Sequence, residues 1–178
     1  FLSLLDKNDK VVIHIRHPSL VLNSMNNLIK KRERNPWHDC EYKDENVDNF
    51  IDFYCDLFRV FNILKQKDVQ VIFSFHEELL SEDTTEKSLL KLCAFLECND
   101  SPENITKRRK KFYEDNKEIK GYGDFSIGRK INLQEELIKI DNSIIEKVEK
   151  YVKDQKLENE LFIEFKKYYR GLLKWILF

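Results

Sequence analysis

Residues 11–18 read Val-Val-Ile-His-Ile-Arg-His-Pro, and residues 19–24 continue as Ser-Leu-Val-Leu-Asn-Ser. Residues 11–15 form a short run rich in β-branched side chains, which is typical of a buried strand in a parallel sheet. Pro18 suits the first position of a helix, where a backbone N–H is not needed. The segment therefore predicts a strand that ends at Arg16 and leads directly into a helix.

This predicted β–α junction has the composition of an anion-binding site. A helix N-terminus carries unpaired N–H groups and a partial positive charge. Arg16 stands just before it, at the carboxyl end of the strand, where open α/β sheets bind their ligands. A guanidinium can hold two phosphate oxygens at once, and Ser24 follows about two turns into the helix. We therefore expect a phosphate or sulfate ester here; the alternative is an arginine that pairs with a nearby carboxylate.

The junction resembles the second nucleotide-binding motif of the sulfotransferases that use 3′-phosphoadenylyl sulfate. Members of that family show a hydrophobic strand, an arginine, an aspartate or asparagine, a proline, and a serine eight residues after the arginine. Arg16, Pro18 and Ser24 match in type and spacing, whereas His17 replaces the acidic or amide residue. The resemblance implies that Arg16 and Ser24 bind the 3′-phosphate of the nucleotide.

A second segment resembles the same family, in the expected order along the chain. Residues 69–79 read VQVIFSFHEEL and correspond to a later strand that usually ends in Tyr-Glu-Asp-Leu. His76 stands at the position of the family tyrosine, which implies that it lies near the adenine. Glu77 is expected to cap or orient the local backbone, as its family counterpart does.

A third segment, residues 125–130 (FSIGRK), resembles the Ser-x-Gly-Arg-Trp stretch found late in many members. Lys130 stands where tryptophan is usual. The resemblance implies that Ser126, Gly128 and Arg129 reach the nucleotide, and it identifies no catalytic residue. His14, which falls within the predicted strand, is expected to be a satisfied core histidine.

The resemblance covers roughly residues 8–155 and implies a P-loop NTPase-like three-layer α/β sandwich with a parallel sheet and a helix-rich C-terminal half. We expect residues 1–178 to form a single domain. The family's loop for the 5′-phosphosulfate, its catalytic base and its sulfate-polarising lysine lie upstream of these motifs. No such loop occurs in this chain, which contains four glycines, none of them after an early strand. We therefore expect a domain that lacks its N-terminal strand and phosphosulfate loop.

Hydrophobic periodicity predicts the remaining elements. A second strand is expected over residues 69–75, and a helix from Thr84 or Thr85 to about Cys98, with either threonine as its cap. Residues 99–130 are expected to be irregular apart from a short helix near residues 105–116. Further helices are predicted over residues 18–34, 49–67, 133–156 and 160–177.

The composition limits partners and location. The formal net charge is −1, so a nucleic-acid partner has no global electrostatic support. No hydrophobic run approaches the length of a membrane span. Two short glycosylation sequons, at Asn99 and Asn104, favour a secretory location only faintly. We expect a cytoplasmic protein, with the Golgi lumen as the alternative, and a homodimer is left open.

These expectations describe a sulfotransferase domain. It would pass a sulfuryl group from 3′-phosphoadenylyl sulfate to a hydroxyl or amine of a small-molecule, glycan or peptide acceptor, leaving adenosine 3′,5′-bisphosphate. Catalysis would rest on positioning, charge stabilisation and one general base, with no metal required. The missing loop and the substitutions at His76 and Lys130 favour an alternative, a non-catalytic sulfotransferase-like interaction module. A nucleotide kinase of related topology is a third hypothesis.

Overall fold

The two predicted strands pair with each other in parallel. The computed structural model describes residues 2–34, 46–79, 82–115 and 140–176. Within them, β1 (Lys10–Ile15) lies beside β2 (Gln70–Phe75) in an unbroken register from Lys10↔Gln70 to Ile15↔Phe75. Because the strands run in the same direction, their carboxyl ends meet at one edge of the sheet.

Six α-helices accompany the sheet in the described ranges. They are α1 (Pro18–Arg34), α2 (Val47–Gln66), α3 (Glu82–Phe95), α4 (Pro102–Asp115), α5 (Asn142–Asp154) and α6 (Glu160–Ile176). Short 3₁₀ turns span Leu2–Leu4 and Glu77–Leu79. The structure is therefore α/β and rich in helix, as expected, whereas the three-layer P-loop-like sandwich stays a prediction. None of the helices in these ranges is long and apolar enough to cross a membrane.

The core lies between one face of the sheet and helices α2, α5 and α6. Large side chains recur every three or four residues along α2, and each is buried because that spacing places them on one face of the helix. Phe58 of α2 meets Phe162 and Phe165 of α6 edge to face, with ring centroids 5.6 and 5.7 Å apart. Such pairs contribute about 0.5–1.5 kcal/mol each beyond the burial of their area. The core also contains Ile15 and Phe75, the last residues of the two strands.

Local capping explains where several helices begin. α1 has the predicted bounds. α2 begins two residues earlier than predicted because the Asn46 side chain accepts the N–H of Asp48. α4 spans fourteen residues, longer than the short helix predicted, and the hydroxyl of Ser101 accepts the N–H of Asn104 at its start.

The predicted start of α3 is wrong, and the segment predicted as one helix over residues 133–156 is not helical at residues 140 and 141. α3 begins at Glu82, so Thr84 lies inside the helix and its hydroxyl donates to the carbonyl of Glu78 at 2.8 Å instead of capping it. α5 begins at Asn142 because Asp141 is extended and its carboxylate accepts the N–H of Ser143, which defines a helix start there. The part of the predicted helix that precedes residue 140 lies outside the described residues.

Candidate functional site

The two segments expected to bind a nucleotide meet at the carboxyl edge of the sheet. Ile15 and Phe75 are paired, so Arg16 and His76 follow them side by side. The backbone N–H of His76 donates to the carbonyl of Ile15 at 2.7 Å, which closes the end of the ladder. Both residues are partly buried. Sequence positions 60 residues apart are thus brought to one place.

Buried side chains hold the backbone around Arg16. The hydroxyl of Tyr54, on α2, donates to the carbonyl of Arg16 at 2.8 Å. The next N–H, that of His17, donates to the carboxylate of Glu77 at 2.8 Å. Because both partners come from the core, the turn that carries the Arg16 side chain is fixed before any ligand arrives.

Glu77 is the carboxylate at the centre of this arrangement. It is 1% exposed, and its second oxygen accepts the hydroxyl of Tyr169 on α6 at 3.2 Å. Burial raises the pKa of Glu77, while the His17 N–H, the Tyr169 hydroxyl and the charge of Arg16 act in the opposite direction. The expectation that Glu77 orients local backbone is confirmed, since it fixes the turn after β1.

His17 caps α1 with its imidazole. Its Nδ1 accepts the backbone N–H of Ser19 at 3.2 Å and lies 2.9 Å from the Ser19 hydroxyl. Its carbonyl accepts the N–H groups of Leu20 and Val21 at 3.0 and 3.1 Å, and Pro18 has no N–H. The prediction of unpaired N–H groups at this helix start is therefore wrong, because His17 accepts hydrogen bonds from them. An imidazole does here what an aspartate or asparagine side chain commonly does as an N-cap.

The buried position of His17 keeps it neutral. Burial lowers its pKa to about 4, and the charge of Asp141 opposes that effect. Since Nδ1 accepts the Ser19 N–H, the Ser19 hydroxyl must donate to it, and the ring proton lies on Nε2. The Ser19 oxygen in turn accepts the N–H of Asp141 at 3.1 Å, which ties the start of α5 to the junction.

His14 lies on the sheet face opposite the core. The prediction of a core histidine is wrong: β1 directs Ile13 and Ile15 to the core, so the residue between them faces the other way and is exposed. Its Nδ1 lies 3.2 Å from the hydroxyl of Ser74, and its Nε2 lies 3.2 Å from Nδ1 of His76. Partial desolvation lowers the pKa of His14.

The other residues predicted to bind the nucleotide are Ser24, Ser126, Gly128 and Arg129. Ser24 lies in α1, one turn after the buried Leu20, and is partly buried. Ser126, Gly128 and Arg129 lie outside the described residues. The edge itself can offer a guanidinium, two imidazoles and a fixed backbone, which suits an anion and an aromatic ring better than a neutral aliphatic ligand.

Tyr54 and Ser19 were not predicted to belong to the site. The position of Tyr54 could have indicated a buried hydrogen bond, because a tyrosine on the apolar face of a helix needs a partner for its hydroxyl. The position of Ser19 gave no such indication, since its partners are a histidine two residues away and a backbone N–H 122 residues away.

Two shallow clefts in the described ranges lie away from this edge, one lined by Phe61 and Val69 and the other by Ile51 and Tyr151. The same ranges contain no group of three or more His, Cys, Asp or Glu side chains arranged to hold a metal ion. No protein-family model matches the chain, and no curated protein or solved structure matches it either.

Proposed function

We propose that this chain is the nucleotide-binding part of a sulfotransferase that uses 3′-phosphoadenylyl sulfate. The observation that carries the proposal is the adjacency of Arg16 and His76 at one edge of a parallel sheet. The resemblance assigns the first to the 3′-phosphate and the second to the adenine of the same ligand. Two motifs read separately from the sequence lie at the same end of the sheet, which supports a single ligand for both.

The fixed turn supports the role of Arg16. The hydrogen bonds from Tyr54 and to Glu77 restrict the backbone on both sides of its carbonyl. A guanidinium presented from such a turn loses little freedom when it binds a phosphate, and charge-assisted hydrogen bonds contribute about 1.5–3 kcal/mol. Ser24 supplies a further hydroxyl, and the imidazole of His76 stacks on or donates to the purine.

The finer parts of the proposal follow from the resemblance. Ser126, Gly128 and Arg129 contact the nucleotide, and the domain adopts the P-loop-like three-layer sandwich. The sulfuryl group passes in line to an acceptor oxygen or nitrogen: the bond from sulfur to the phosphate oxygen breaks, the new bond to the acceptor forms, and the acceptor proton goes to a general base. The acceptor is a small molecule, a glycan or a peptide, and the step needs no metal.

Calorimetric titration of the full-length protein with adenosine 3′,5′-bisphosphate tests the proposal. The wild type should bind one equivalent, and Arg16→Ala should weaken binding by roughly 10- to 100-fold. Lys65→Ala is the matched control, because it removes an exposed positive charge near Gln70, at the other end of β2. A folded wild type that does not bind the nucleotide contradicts the proposal.

A non-catalytic interaction module is the second candidate, and one observation favours it. His17 takes the first N–H groups of α1, which removes from the junction the backbone donors that phosphate sites at helix starts commonly use. Under this alternative Arg16 contributes to a protein-binding surface and does not bind a nucleotide. Binding of adenosine 3′,5′-bisphosphate that depends on Arg16 decides against it.

A further inference from the structure

Two histidines at neighbouring strand ends face each other on the side of the sheet opposite the core. Nε2 of His14 lies 3.2 Å from Nδ1 of His76, with the ring centroids 5.4 Å apart and the rings inclined at 73°. His14 is paired with Ser74 on the neighbouring strand, and His76 follows Ser74 by two residues. Residues two apart along a strand point to the same face of the sheet. The positions of both rings are therefore set by the sheet.

We propose that His14 and His76 form a binding site for a divalent transition-metal ion. Two nitrogen ligands of one tetrahedral ion, each about 2.0–2.1 Å from it, are about 3.3 Å apart, close to the separation of these two atoms. The ion replaces the proton that the two nitrogens share. If that proton belongs to His76, it moves to the other nitrogen of the same ring, and both imidazoles bind as neutral ligands.

Ser74 contacts the other ring nitrogen of His14 and so helps to orient that ring. Its side chain is 3% exposed, and its hydroxyl lies 3.2 Å from Nδ1 of His14. A metal-binding imidazole commonly donates its other N–H to such a partner, which fixes its tautomer and orientation. With Nδ1–H directed at Ser74, Nε2 of His14 presents its lone pair toward His76.

The ligand set points to the class of ion. Imidazole suits nickel, copper and zinc, whereas magnesium and calcium prefer oxygen ligands. The part of the chain that the structure describes adds no third His, Cys, Asp or Glu side chain to this pair. The site shares His76 with the proposed nucleotide site, but it does not rest on the proposed sulfotransferase function, and the transfer step needs no metal.

Calorimetric titration with Ni²⁺ at pH 7.5, without nucleotide, tests the proposal. The wild type should bind one equivalent, His14→Gln and His76→Gln should each abolish that binding, and Ser74→Ala should weaken it by about tenfold. Two controls should bind as the wild type does. His38→Gln removes a histidine outside the pair, and Cys98→Ser removes an exposed thiol.

Histidine ring signals in the NMR spectrum provide a second measurement. Ni²⁺ should broaden the signals of His14 and His76 first and leave that of the buried His17 sharp at low occupancy. A wild type that binds no Ni²⁺, or a His76→Gln variant that keeps its fold by circular dichroism and binds Ni²⁺ as tightly as His38→Gln, overturns the proposal.

Discussion

The carboxylate of Glu77 accepts the backbone N–H of His17 at 2.8 Å, and this bond joins the end of β2 to the turn that follows β1. Its other oxygen accepts the hydroxyl of Tyr169 at 3.2 Å. A single buried side chain thus connects both strand ends to the last described helix. The position of Arg16, which immediately precedes His17, follows from this connection.

Replacing Glu77 by alanine should destabilise the protein strongly. The change leaves the His17 N–H and the Tyr169 hydroxyl buried without their acceptor, and each such group costs about 1–3 kcal/mol. We expect a loss of roughly 2–6 kcal/mol in the free energy of unfolding, measured in urea. Glu77→Gln is the control, since its amide oxygen can still accept the His17 N–H. Equal losses for both variants would show that the hydrogen bonds are not the cause.

His17 should make stability depend on pH below neutrality. Its pKa is about 4 in the folded protein and 6.5 in the unfolded chain. Between those values the unfolded chain binds the additional proton, so the free energy of unfolding falls as pH drops from 6.5 to 4 and is unaffected by this group above 6.5. The difference between the two pKa values corresponds to about 3 kcal/mol.

His17→Asn isolates that effect. An asparagine can accept the Ser19 N–H as an N-cap but does not titrate. Urea unfolding at a series of pH values should give a wild type that loses about 3 kcal/mol more than His17→Asn between pH 7 and pH 4. Parallel pH profiles for the two proteins would contradict a buried, neutral His17.

Tyr54→Phe should weaken both the fold and nucleotide binding. The variant loses one hydrogen bond to the carbonyl of Arg16, worth about 1 kcal/mol of stability. The loosened turn should also lower the affinity for adenosine 3′,5′-bisphosphate, though less than Arg16→Ala does. Tyr151→Phe is the control: it removes a hydroxyl that bonds Asp52 and Arg59 instead of the turn after β1, and it should leave nucleotide affinity unchanged. Equal affinities for the Tyr54→Phe variant and the wild type would separate this tyrosine from the site.

Ser19 and Ser24 should respond in opposite ways to alanine substitution. Ser19→Ala removes the acceptor of the Asp141 N–H and one donor to His17, so it should cost about 1–2 kcal/mol of stability. Ser24→Ala should change stability by less than about 0.5 kcal/mol but should lower nucleotide affinity. Thermal unfolding and calorimetry separate the two effects. A Ser24→Ala variant with unchanged affinity would remove this serine from the site.

The strands and their order could be predicted from sequence because short apolar runs bounded by polar residues carry a local signal. The start of α1 followed from Pro18, which suits the first position of a helix. The start of α5 could not be predicted this way, because apolar residues at helical spacing continue upstream of Asp141. Its cap, and its bond to Ser19, depend on a contact between residues far apart in the chain.

In the candidate site, too, some features have a local sequence signal and others depend on contacts between distant residues. Arg16 and His76 could be singled out from motifs, but the face taken by His14 depends on which side of β1 meets α2. The role of His17 was hidden because histidine is not a common N-cap. Its imidazole accepts a hydrogen bond at Nδ1 only while it is neutral. The burial that lowers its pKa comes from tertiary packing, which the local sequence does not reveal.

The most direct measurement is a binding cycle between Arg16 and one phosphate of the ligand. Affinities of the wild type and of Arg16→Ala are measured for adenosine 3′,5′-bisphosphate and for adenosine 5′-phosphate, which lacks the 3′-phosphate. The account predicts that the wild type prefers the bisphosphate and that Arg16→Ala loses that preference, with a coupling energy of about 1.5–3 kcal/mol. An undiminished preference in Arg16→Ala would show that the guanidinium does not hold the 3′-phosphate.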